Sequence, residues 1–196
     1  MKRVIILLFL ITFFMKQGLS QNKPVAKVEK IYIEYKGDSV EARRLTVSSM
    51  IPIEIARAWT NVQTPELLQF VAKGMIKFKS VDGEGFPKKW QEGQTYGAKM
   101  RVFGFIPFGG IHYLNIVKID SANYQISTKE WDKSAKVWNH DVRMEAIGTD
   151  SIYYADSIEI YGGFMTGFIT AFAKLFYKHR QKRWQIVARE NLEFGK

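Results

Sequence analysis

Apolar and polar residues alternate with a period of two through most of the chain between residues 75 and 161. Tyr96, Ala98, Met100 and Val102 alternate with Gly97, Lys99, Arg101 and Phe103, and a similar rhythm runs through 75–81, 111–119, 124–131, 137–146 and 152–161. A period of two sends successive side chains to opposite faces of a strand, so these segments predict six strands. The turns between them are mostly short, which favours an antiparallel meander. Upstream, 40–49 alternates into a further strand, and 28–35 alternates enough for an extra one across the turn Lys36-Gly37-Asp38-Ser39.

Two stretches break this rhythm with a helical one. Between the early strands and residue 75, Pro52 opens IPIEIARAW, and Thr64-Pro65-Glu66 supplies a cap, a first-turn proline and an early carboxylate for a second short helix. Gly74 is placed to end that helix. The second stretch, 164–189, has no proline and carries Met165, Phe168, Ile169, Phe172, Leu175, Phe176 and His179 as an apolar stripe at helical spacing. It predicts one helix about 39 Å long at about 1.5 Å per residue. Its second half holds Lys174, Lys178, Arg180, Lys182, Arg183 and Arg189, cations that suit a helix C-terminus and are expected in solvent. GEGFPKKWQEG reads as a long loop, and FGFIPFGG as a connection that serves as a lid, a membrane-touching lip or a packed hairpin tip. The predicted class is α+β: a curved antiparallel sheet of six to seven strands around a long C-terminal helix, with two short helices after the first strand.

Within VWNHDVRMEAIGTDSIYYADSIEI, one strand face holds Trp138, His140, Val142, Met144 and Ala146, and the next holds Ile152, Tyr154, Asp156, Ile158 and Ile160. Both apolar faces must end on the same side of the sheet. A loop centred on Gly148 sets His140 opposite Asp156, and a loop centred on Thr149 makes them diagonal neighbours. The pair then forms a polar spot in an apolar interior. Three readings fit: a structural hydrogen bond, a ligand anchor, or catalysis with His140 as general base oriented by Asp156. The adjacent carboxylate favours an imidazolium and burial opposes it. A nucleophilic triad is disfavoured, because Ser157 points to the other face and no G-x-S-x-G elbow is present. His112, His140 and His179 are too scattered to read as a metal site, and nothing calls for a cofactor.

Composition adds location. Lys2 and Arg3 precede an apolar run from Val4 to Met15, followed by Lys16-Gln17-Gly18-Leu19-Ser20 with small residues where a signal peptidase cuts. The run is short of the roughly twenty residues a membrane span needs, so 1–20 reads as a signal peptide for export, most simply to a bacterial periplasm; an uncleaved anchor is the alternative. The chain has no cysteine, which excludes a lipid-modified cysteine and disulfides. Residues 21–39 form a lead-in and 40–190 one domain. The formal net charge of +10 suits anionic partners. Export and the lack of an Arg/Lys cluster with stacking aromatics exclude nucleic acid and leave peripheral contact with an anionic membrane surface.

VSSMIPIEIARAW, FPKKWQEG, VFGFIPFGG, Trp138-Asn139-His140, YYADSIEIYGG with Asp156, and YKHRQKRW from Tyr177 follow one another in an order that resembles the START/birch-pollen-allergen helix-grip group. This is the SRPBCC, or polyketide cyclase and lipid-transport, superfamily, and the likeness spans about residues 40–190. The resemblance implies a sheet gripping the last helix around a hydrophobic cavity that binds lipid-like or polyketide-like molecules, with some members acting as cyclases or hydrolases. By position, Trp138, His140 and Asp156 match a W-x-H and downstream Asp of ligand-binding members, and His179-Arg180 a basic patch of their last helix. The expected function is binding or transport of a small hydrophobic ligand by a monomer or weak dimer; the alternative is a cyclase, dehydratase or hydrolase using His140 and Asp156. The expected lining is Tyr96, Met100, Trp138, Val142, Met144, Tyr154, Ile158, Phe168 and Phe172, with His140 and Asp156 as the polar handle.

Overall fold

The computed structural model describes residues 23–196, so the expected signal peptide lies outside the described residues. The chain runs through strands β1 (Val25–Tyr35) and β2 (Asp38–Ile51), then helices α1 (Ile55–Val62) and α2 (Pro65–Ala72). Six strands follow: β3 (Ile76–Ser80), β4 (Thr95–Val102), β5 (Ile106–Asp120), β6 (Gln125–Trp131), β7 (Val137–Ile147) and β8 (Ser151–Tyr161). One 3₁₀ turn at Gly163–Met165 leads into the long helix α3 (Thr166–Arg189).

All eight strands join one antiparallel sheet in the order β1-β2-β8-β7-β6-β5-β4-β3. The meander β3 to β8 is the predicted one, and β2 closes onto β8 to carry the sheet round. The extra strand β1 forms in full. Its hairpin with β2 turns on Lys36 and Gly37, both with positive φ (57° and 88°), the geometry that matches strand twist in a two-residue loop.

Two boundaries differ from expectation. The first short helix starts at Ile55 rather than at Pro52, because Ile53 is buried in a bend and Glu54 is extended. The second keeps its predicted start: the Thr64 side chain accepts from the Leu67 backbone N–H at 3.1 Å, and Pro65 fills the first turn. The FGFIPFGG connection shrinks to a tip around Phe103–Phe105, and its remainder extends β5, with a register shift in the β4–β5 ladder at Lys99/Met100.

The long helix is rotated from its apolar stripe. Ile169, Thr170, Ala173, Phe176, Tyr177, Arg180, Gln181, Trp184 and Val187 face inward. Phe168 is 62% exposed, Leu175 63% and Phe164 97%. Counting only apolar positions selects the wrong face here, because Arg180 and Gln181 have buried partners that the pattern does not reveal. The helix packs on β2, β8 and α2. Two apolar clusters result. One joins Trp184 and Val187 to α1, α2 and the Val142–Tyr154 region; the other joins Ile169, Ala173 and Phe176 to β2 and the far end of β8. Because α3 leans on the β2–β8 side, the β4–β6 side of the curved sheet is left to wall a cavity.

Candidate functional site

The cavity measures about 120 Å³, is partly open, and is mostly apolar. A water occupies about 10–15 Å³ on that scale, so there is room for roughly ten waters or one compact organic molecule. Leu67 and Leu68 of α2, Ile169, Phe172 and Phe176 of α3, and alternate residues of β4 to β7 make its walls. The long loop contributes Phe86 and Trp90, which meet edge-to-face at 5.9 Å, with Trp90 also 5.1 Å from Tyr96.

Of the residues expected at the lining, Tyr96, Met100, Trp138, His140, Val142 and Phe172 border the cavity. Met144, Tyr154 and Ile158 are packed into solid core. Phe168 faces outward, for the rotational reason above. Asp156, fully buried, stands behind His140 rather than at the cavity surface.

The β7–β8 loop is the Thr149-centred one: Ile147 pairs with Ser151, and Val142 opposes Asp156. His140 and Asp156 are therefore diagonal neighbours, and His140 donates through Nε2 to Asp156 Oδ1 at 2.9 Å. Asp156 is a hub. Its Oδ1 also accepts from the Tyr154 hydroxyl at 3.2 Å and lies 3.7 Å from Arg180 Nη2; its Oδ2 accepts from Gln181 at 3.1 Å. Arg180 in turn donates to Tyr154 at 3.1 Å.

Beyond His140 the polar wall continues through residues the sequence pattern did not single out together. His112 on β5 donates to Glu130 at 2.9 Å and to Asp132 at 3.0 Å. Glu130, at the end of β6, also accepts from Thr128 at 2.6 Å and approaches His140 Nδ1 at 3.7 Å, an ion-pair distance beyond hydrogen-bond reach. Asp132 Oδ1 accepts from the backbone N–H groups of Ser134 and Ala135 at 2.7 and 2.8 Å. The result is a buried row of alternating charge: Asp132, His112, Glu130, His140, Asp156, Arg180. Among the described residues no such group is arranged to hold a metal ion.

Electrostatics follow from that alternation. Burial penalises the charged forms of His112, Glu130, His140, Asp156 and Arg180, and their neighbours outweigh it. His112 would be driven neutral by burial alone, but the Asp132 and Glu130 carboxylates raise its pKa to about 9. Glu130, pushed up by burial, is pulled down to about 2 by His112 and His140. His140 is raised by Asp156 and Glu130 against its burial. Asp156 is lowered by the Arg180 charge and by His140. The neighbours of each histidine thus favour its cationic form, and those of Glu130 and Asp156 favour the carboxylate.

Arg180, expected in solvent, is 7% exposed. Arg183 stacks on Phe70, with its guanidinium carbon 4.2 Å from the ring centre, and donates to the Phe70 carbonyl. The basic end of α3 therefore spends two of its cations on internal contacts. His179 donates to the Lys73 carbonyl at 2.9 Å, away from His140. No helix among the described residues is long and apolar enough to cross a membrane.

A backbone feature holds Asp132 in place. Gly109 has φ +72°, and a Cβ there would come within 2.7 Å of Asp132 Oδ2. That carboxylate cannot swing aside without losing its backbone and His112 bonds. Gly109→Ala is expected to lower stability by about 1–3 kcal/mol through this overlap and the left-handed φ. A thermal midpoint unchanged from the parent would refute the close approach.

No protein-family model matches the chain, and no curated protein matches it. Solved structures do resemble it. Ara h 8.0201 aligns with a TM-score of 0.57 at 15% identity, over 76% of this chain and 99% of its own. The Zhui aromatase/cyclase from Streptomyces sp. R1128 aligns at 0.55 and 9% identity, over 76% and 95%. Norcoclaurine synthase from Thalictrum flavum, in complex with dopamine and hydroxybenzaldehyde, aligns at 0.53 and 11% identity, over 89% and 93%. These identities speak to architecture alone. With its curved sheet closed on a long last helix, the chain has the helix-grip fold of the superfamily that its sequence resembles.

Proposed function

We propose that this protein binds and carries a small, mostly apolar molecule in the cavity between α3 and the β4–β6 side of the sheet. The observation that carries the reading is the cavity itself: an apolar, partly open space with one polar stripe, the arrangement that holds a ligand by burial and orients it by a few polar groups. Its volume favours a molecule of one or two rings over a long-chain lipid. The norcoclaurine synthase of the same fold is seen with dopamine and hydroxybenzaldehyde, ligands of this size. Export to a periplasm belongs to the reading, on the strength of the N-terminal pattern.

Protein purified from its host is expected to release a compact apolar compound on solvent extraction and mass spectrometry. Apolar ring compounds should quench the fluorescence of Trp90 and Trp138, which border the cavity. An empty extract together with no quenching by any such compound would remove the reading. The intact mass of the same preparation tests export, since a full-length mass would count against cleavage after Ser20.

A second reading, an enzyme of cyclase, dehydratase or hydrolase type, is favoured by the His140 imidazole at the cavity wall. Held cationic, His140 would there donate a proton rather than take one, and Asp156 would act as a positioning residue. His140→Ala should then abolish turnover and spare binding; loss of both folding and binding would point to a structural bond instead.

A further inference from the structure

The polar stripe of the cavity is selective about what it can still accept or donate. Every carboxylate oxygen of Glu130 and Asp132 already accepts a bond from His112, Thr128, Ser134 or Ala135. Both carboxylates are thus already engaged within the protein and do not call for a donor from a ligand. Donors are in a different position. Tyr177, 2% exposed on α3, accepts from Trp138 Nε1 at 3.2 Å, and among the described residues its own hydroxyl proton has no acceptor. Both Tyr177 and Trp138 border the cavity. The His140 ring meets the Tyr177 ring edge-to-face at 5.1 Å, and its Nδ1 lies 3.7 Å from Glu130, longer than a direct hydrogen bond.

Resting on the cavity-binding reading, we propose that the ligand is an uncharged ring compound bearing a carbonyl oxygen, and that this oxygen accepts from the Tyr177 hydroxyl with His140 Nδ1–H beside it. A carbonyl has lone pairs to offer and no proton to place, which complements a wall whose carboxylates are already engaged and whose Tyr177 hydroxyl proton is not. It also removes the penalty on a buried hydroxyl that lacks an acceptor. A negative ligand group suits the place poorly. Burial, with the Glu130 and Asp156 carboxylates adding to it and outweighing the Arg180 cation, holds the Tyr177 hydroxyl protonated, so the surroundings of that oxygen oppose negative charge. A carboxylate at the same point would meet the same burial and the same two anions.

The test uses four probes of one shape: acetylnaphthalene, ethylnaphthalene, naphthoate and naphthylmethylammonium, titrated into the protein and into Tyr177→Phe. In the parent protein the ketone should bind more tightly than either charged probe. Tyr177→Phe should weaken the ketone by about five- to tenfold and change ethylnaphthalene by less than about twofold. An equal loss for ketone and hydrocarbon, no loss at all, or a charged probe that binds best would overturn the proposal while leaving the cavity reading intact. If none of the four binds, the proposal falls, and the extraction and quenching results decide the cavity reading separately. The infrared carbonyl band of bound acetylnaphthalene gives a readout independent of the variant. In the parent protein it should lie at lower wavenumber than in alkane, and an unshifted band would also overturn the proposal.

Discussion

Asp156→Ala is expected to lower the unfolding free energy by about 3–5 kcal/mol, because it strips the shared partner from two buried cations, His140 and Arg180. The carboxylate also receives Tyr154 and Gln181, so removal leaves several buried donors without an acceptor. Asp156→Asn separates charge from shape. It keeps the volume and one carbonyl oxygen but leaves the cations unneutralised, so it should remain destabilised by more than about 1 kcal/mol. Urea unfolding followed by tryptophan fluorescence reads both. If Asn were tolerated without loss, the hub would be a polar packing site and not an electrostatic one.

Stability should peak in mildly acidic solution and fall on the alkaline side earlier than surface lysines titrate. A histidine whose folded pKa is raised holds its extra stability in full below its unfolded value near 6.5 and loses it as pH climbs through the folded value. For His112 that window runs from about 6.5 to about 9, and the shift corresponds to about 3 kcal/mol. His140 is shifted in the same direction and adds to the decline. On the acid side Glu130 contributes fully above about 4.5 and is lost as pH falls through about 2. Unfolding curves at about pH 5.5, 7.5 and 9.5 should therefore show a steady loss, and His112→Gln should flatten it. A stability that stays level or rises between about pH 6 and 9 would mean that these imidazoles are not held as cations.

The strands of the meander could be read before the structure because one face of each is apolar, and burial then fixes both period and side. The 137–160 hairpin is the clearest case: its two apolar faces restricted His140 and Asp156 to two registers, and the structure adopts one of them. The rest of the charged row was harder to see. Glu130 alternates with Thr128 and Ile126 on β6, so its face reads as polar, and a register shift in the β5–β6 ladder breaks the count along β5. His112 and Glu130 meet across the β5–β6 hairpin, whose register shift upsets the count that the β7–β8 hairpin allows. Arg180 failed for a related reason. A cation on a helix reads as solvated unless its buried carboxylate, here 24 positions earlier on another element, is known. Cavity volume was equally out of reach, since it depends on which half of the sheet the helix leans against.

The N-terminal strand has a different part to play. No residue of β1 borders the cavity, and among the described residues the strand pairs with β2 alone. What it does is cover the rim of β2, whose inward residues Leu45 and Val47 belong to the core. Without it, β2 would present bare amides beside an apolar face, a template for chain-to-chain association. The rim that replaces it bears Lys27, Glu29, Lys30 and Glu34, charges that discourage a foreign strand from adding on. The first strand thus guards against self-association and takes no part in the cavity.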